Sequence, residues 1–236
     1  MSERGDKAPV SLYLLAGLAT APQFMESFRG ALHAILEREG FTVRTSQLLF
    51  PYGDWNRRAV PQLWEIGRDM RLAPERIIGR SIGGRRAVDA IGAGWRPEPG
   101  QAGRIVLIGH SGGGVAAVHA AWMLHDLLGG APSPVVMIGS PRCRIPAAMR
   151  ASTLFAYAGG AEDAAAAGKP ADGVSRLGTF GGWRRDKHAP GERRGVPIIG
   201  KHADYFRERE PFINELGLTN LRLTLSVVWP WLRERI

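Results

Sequence analysis

Cysteine is almost missing from this chain: Cys143 is the only one in 236 residues. An internal disulfide is therefore excluded, and the fold has no need of an oxidising compartment. Cys143 closes the segment Gly139-Ser140-Pro141-Arg142-Cys143, just after an apolar run, and no histidine accompanies it in a recognisable cysteine-enzyme pattern. It is expected to be a buried structural thiol. Long apolar runs are lacking too. No uninterrupted stretch reaches the roughly 18–20 residues that a membrane-spanning helix requires. Residues 10–18, followed by Ala19-Thr20-Ala21, have the outline of a signal-peptide core with a cleavage site. Glu3 and Asp6 precede that core, however, and Tyr13 and Gly17 interrupt it. A first core strand is the better reading, and with it a cytoplasmic protein; a secreted one is the alternative if the run is a signal peptide. No metal-ligand cluster, dinucleotide fingerprint or Lys-Ser/Thr phosphate-loop ending is present, so neither metal nor cofactor is expected.

Acids are scarce relative to bases, 22 against 31, leaving a formal charge of +9. Such a balance raises nucleic acid or an anionic membrane as a partner. The arginines are scattered, though. Arg57-Arg58, Arg85-Arg86 and Arg184-Arg185 are separated by acids and apolar runs, and no RNA-binding or zinc-finger pattern accompanies them. No nucleic-acid partner is expected; peripheral membrane contact is left open, and the oligomeric state is unread.

What remains is an ordinary globular balance, 44% hydrophobic and 22% charged, at a length that fits one α/β domain over residues 1–236. Strand-like runs near 10–16, 41–49, 104–109, 134–139, 153–158 and 195–199 alternate with helical patterns near 22–39, 60–71, 82–91, 113–128, 203–216 and 220–234. That alternation predicts a three-layer α/β sandwich, a mostly parallel sheet of about six strands with helices on both faces. Thr219 or Asn220 is placed to cap the last helix. A Gly-, Pro- and charge-rich loop at 159–194 carries Arg176, Phe180 and Trp183 and is a candidate active-site cover.

The chemistry concentrates in Gly109-His110-Ser111-Gly112-Gly113. A serine hydroxyl is a weak nucleophile that needs a base and must project from the fold. A tight strand–turn–helix elbow projects it, with glycines where side chains would clash. Ile105-Val106-Leu107-Ile108 supplies the strand, and Gly112-Gly113-Gly114 opens an apolar helix. The backbone N–H of Gly112 would face a developing oxyanion. The same five-residue pattern occurs again as Gly79-Arg80-Ser81-Ile82-Gly83, but behind only two apolar residues and before Gly84-Arg85-Arg86. Context selects Ser111.

On these residues the chain resembles the α/β-hydrolase superfamily, in its small lipase- and esterase-like members. The resemblance implies a reduced sheet, a triad in the order Ser, acid, His, and a second oxyanion donor after the first core strand. Its histidine belongs after the last strand, where His202 follows Val196-Pro197-Ile198-Ile199-Gly200. His119 and His125 sit on the nucleophile's own helix and are packing or surface residues, and no strand precedes His188. The acid should follow the strand at 153–158: Asp163 is first choice, with Asp172 and Glu162 as rivals. Leu18 is the second oxyanion donor by position, although the longer His-Gly-Gly-Gly form of some esterases is absent. The expected activity is serine hydrolysis of carboxylic esters, thioesters or lipid acyl groups. A non-catalytic binding protein on the same fold is the alternative, and a basic nucleic-acid-binding protein ranks below both.

Overall fold

Among the described residues, six strands form one wholly parallel sheet in the order β2-β1-β3-β4-β5-β6. They are β1 (Val10–Leu15), β2 (Val43–Leu49), β3 (Arg104–His110), β4 (Val135–Ile138), β5 (Thr153–Ala158) and β6 (Glu192–Val196). The helices are α1 (Glu26–Arg38), α2 (Ala59–Asp69), the single turn α3 (Ile77–Arg80), α4 (Ile82–Gly94), α5 (Gly112–Leu128) and α6 (Asn220–Arg233). This computed structural model describes residues 7–94, 103–159, 171–181, 184 and 186–236.

The central strands are buried on both faces, so they read as continuous apolar runs. Their side chains divide by period two. Leu12, Leu14, Val106 and Ile108 join Phe28 and Leu32 of α1 and Trp231 of α6 in one layer. Tyr13, Leu15, Ile105 and Leu107 join Ile66 of α2, Ile91 of α4 and Val118 of α5 in the other. The expected sandwich of helix, sheet and helix is therefore observed. Cys143 is buried, and burial pushes its thiol up to about 12, which keeps it protonated.

Three local expectations need correction. The last strand spans Glu192–Val196 rather than 195–199. As an edge strand it tolerates Glu192, Arg193 and Arg194, and Pro197, with no N–H, cannot extend the ladder. The helix expected at 203–216 is a series of turns. There Asp204 and Asn214 spend their side chains on the backbone N–H groups of Lys201, Leu216 and Leu218, which competes with helix formation. Phe180 does not cover a site: it is 2% exposed and sits edge-on to Phe155, with ring centroids 5.1 Å apart. The rest of the expected cover, Trp183 included, lies partly outside the described residues.

Candidate active site

The winding reverses between β1 and β3, and in open α/β sheets the crevice beyond the strand ends at such a switch point is where ligands bind. Ser111 stands there, one residue past β3, with φ 55° and ψ −135°. A non-glycine residue in that conformation is strained, and the surroundings hold it. The Ser111 N–H donates to the Ile138 carbonyl at 3.0 Å, and its own carbonyl accepts from the Gly114 N–H at 3.0 Å. The turn fits only because its neighbours lack side chains. A Cβ on Gly113 would collide with the Leu15 carbonyl, and one on Gly17 would stand 2.6 Å from the Ser111 Cβ. The loop after β1 therefore lies directly against the elbow. Gln62 on α2 fixes that loop by accepting the Ala19 N–H at 2.9 Å while donating to the Asp54 and Arg57 carbonyls. Ala19 has φ 47°. Among the described residues, neither the Leu18 nor the Gly112 N–H has an acceptor.

His202 lies in the turns that follow β6. Its Nδ1 is 2.8 Å from Oδ2 of Asp172. A carboxylate oxygen accepts, so Nδ1 carries the proton and Nε2 keeps a free lone pair. Asp172 is buried and receives three further donors: Val174 N–H at 2.8 Å, Ser175 O–H at 3.1 Å and Tyr205 O–H at 3.4 Å. Burial pushes the Asp172 carboxyl up, but the His202 and neighbouring hydrogen bonds outweigh it and hold the group below the usual carboxylate range. Of the expected acids, the structure brings Asp172 to the histidine. Asp163 and Glu162 lie outside the described residues.

Two residues hold the turn that carries this histidine, neither of them expected in that place from the sequence. Asn220, at the start of α6, accepts the Ile199 N–H at 2.8 Å and donates to the carbonyls of Ile199 and Asp204 at 2.7 and 2.8 Å, clamping the turn that carries His202. Thr219, not Asn220, provides the helix cap, accepting from the Arg222 N–H. His110, next to Ser111, donates from Nε2 to the His202 carbonyl at 3.1 Å and stacks on its imidazole with centroids 4.8 Å apart. Only its place inside the pentapeptide hinted at this.

The second pentapeptide is structural. Ser81 is 1% exposed and caps α4 by accepting the Gly84 N–H at 3.0 Å. Its hydroxyl donates to Asp69 at 3.0 Å and lies 2.9 Å from Nδ1 of His119. With the hydroxyl hydrogen committed to Asp69, His119 must donate from Nδ1. Nε2 is then bare, buried and, among the described residues, without a partner.

His110 and His119 give the fold an acid weakness. Burial, reinforced for His110 by the adjoining His202 imidazole, lowers their pKa values to about 3 and about 4. In the unfolded chain each titrates near 6.5. Between those limits the unfolded state binds up to two more protons, so stability falls as pH drops. Urea titrations are expected to show stability falling as the pH drops from about 6 to about 4.5, with a slope that reflects the uptake of nearly two protons. In His110→Gln that slope should be about halved; an unchanged slope would clear His110 of the effect.

No family model matches the chain, and no curated protein matches its sequence. Among solved structures it is similar to an extracellular α/β-hydrolase from a Paenibacillus species at 16% identity and a TM-score of 0.29, over 56% of this chain and 41% of that one. A lipase-esterase related protein from Clostridium acetobutylicum is similar at 16% identity and a TM-score of 0.30, over 58% and 44%. A Trichoderma reesei cutinase in complex with a phosphonate inhibitor is similar at 17% identity and a TM-score of 0.33, over 66% and 65%. The matched region spans less than two thirds of each of those chains. No helix among the described residues is long and apolar enough to cross a membrane.

Proposed function

We propose that this chain is a serine hydrolase of the α/β-hydrolase type, acting on carboxylic esters, thioesters or lipid acyl groups. One observation carries the proposal: a His202–Asp172 hydrogen bond of 2.8 Å, stacked through His110 onto a strained serine elbow. A bare Nε2 on a ring oriented by a buried carboxylate is the arrangement a hydroxyl nucleophile requires.

In the first half-reaction the Ser111 Oγ forms a bond to the substrate carbonyl carbon, and the hydroxyl proton passes to Nε2 of His202. Asp172 stabilises the resulting imidazolium. The backbone N–H groups of Gly112 and Leu18 receive the oxyanion. Collapse of the adduct breaks the bond to the alcohol or thiol, which leaves with the proton from His202. Water then adds to the acyl-enzyme by the same route, its proton going to His202, and the carboxylic acid departs as Ser111 is restored.

A fluorophosphonate probe tests the assignment. The native protein is expected to take up one label, mapped by peptide mass spectrometry to Ser111 and absent from Ser111→Ala. Ser81→Ala should label as the parent does. Folded protein that neither labels nor hydrolyses short acyl esters would sink the proposal and favour a binding protein on this fold.

A further inference from the structure

Helix α2 is inside out. Its inward face carries Gln62, Glu65, Ile66 and Asp69, while Val60, Leu63 and Trp64 are 79%, 59% and 63% exposed. The inward polar groups are all satisfied. Gln62 makes the three bonds described above, and Glu65 is held by Arg57 at 2.7 Å and Arg86 at 2.9 Å. Asp69 accepts from Tyr52, Ser81, Ile82 and Gly83. The helix is thus fastened by polar contacts, which frees its apolar residues at i, i+3 and i+4 to face outward. Scattered exposed apolar residues are ordinary, but a contiguous stripe marks a contact surface.

That stripe borders a groove of about 840 Å³ between α2 and residues 177–179, where Leu177 is 54% exposed. Arg68, Arg71 and Arg144 line the same groove, and among the described residues no carboxylate does. Both acids of α2 are on its inward side. None of the three guanidinium groups has an acidic partner among the described residues, and Arg68 lies 5.6 Å over the Trp64 ring. The groove and the helix face beside it are therefore apolar, tryptophan-bearing and cationic, on a chain of net charge +9.

We propose that this face of α2 docks the protein on anionic lipid bilayers. Leu63 and Trp64 would enter the boundary between headgroups and acyl chains, with Arg68, Arg71 and Arg144 on the phosphates. The opposite side of the helix braces the elbow: a Cβ on Gly112 would meet the Ile66 side chain at 2.6 Å, and Gln62 holds Ala19. Docking would bring Ser111 close to the lipid surface. The binding itself does not depend on catalysis.

Cosedimentation with vesicles tests the proposal, using equal parts phosphatidylcholine and phosphatidylglycerol against phosphatidylcholine alone. The parent and Ser111→Ala are expected to bind the mixed vesicles equally, less at high salt, and to leave the neutral ones. Replacing Arg68 and Arg71 with Ser should weaken binding about fivefold for each arginine, and Leu63→Ser with Trp64→Ser about tenfold. All four side chains are exposed, so the variants should keep the parent's thermal midpoint. Parent-like binding by either double variant, or equal affinity for the two vesicle types, would overturn the assignment. So would absence of vesicle binding together with self-association that Leu63→Ser/Trp64→Ser abolishes, or with one-to-one binding of monomeric dodecyl phosphate.

Discussion

Asp172→Asn is expected to lower kcat for a short-chain ester about 10⁴-fold with little change in KM. The cause is the tautomer of His202. In the parent, Oδ2 of Asp172 accepts from Nδ1, which leaves Nε2 free to take the Ser111 proton. An asparagine has one acceptor oxygen, and the Val174 N–H, which bonds Oδ1 in the parent, draws it to that side. Its amide nitrogen then faces the imidazole and donates to Nδ1, driving the ring proton to Nε2. The base is lost while the fold keeps its shape. Replacing Asp163 or Glu162 by Ala should leave the rate near that of the parent, because the far nitrogen of His202 is already taken. Steady-state kinetics on the three variants, with circular dichroism to check folding, decides the matter. A collapse of activity in Asp163→Ala with Asp172→Asn unaffected would assign the acid elsewhere.

Asp69→Ala is expected to cost about 4–5 kcal/mol of stability. One buried carboxylate accepts from the Tyr52 hydroxyl at 2.9 Å, the Ser81 hydroxyl at 3.0 Å, and the Ile82 and Gly83 N–H groups at 3.0 and 2.8 Å. Removing it strands four donors at the junction of α2, α4 and α5. Each unpaired buried donor costs about 1–3 kcal/mol, and entry of water into the space recovers part of the sum. Calorimetry should show the thermal midpoint falling by about 10–15 °C. A drop below about 2 °C would mean that the network does not brace the helices. Its residues have the chemical types of a triad, yet the hydroxyl is sealed from substrate and spends its hydrogen on the acid rather than on a base.

That Ser111 follows a central strand and Ser81 does not was legible because it rests on local chemistry. The four apolar residues Ile105–Ile108 before one elbow, against the two residues Ile77-Ile78 before the other, distinguish a central strand from a short helical turn. His202 was legible for the same reason, as the histidine after the last apolar run. Asp172 was only a rival, because the loop from 159 offers several carboxylates and nothing in their spacing says which one turns inward. Ser175, Val174 and Tyr205 make that selection, and Tyr205 lies 33 residues further along the chain. Asn220 and His110 left little trace either, since their partners are set by how α6 and the turns after β6 dock. The face of α2 was harder still. Its apolar spacing marks a helix but not the side that meets the core.

The sequence by itself determined the alternation of strand and helix, the glycine-lined elbow at Ser111 and the histidine that follows the last strand. These depend on periodicity, steric room and turn chemistry within a few residues. Only the tertiary structure decided that Asp172 is the carboxylate on His202, that Ser81 is a buried cap, and that α2 turns its apolar stripe outward. Each of those outcomes depends on which distant polar groups satisfy one another once buried, and neighbouring residues along the chain carry no record of that pairing.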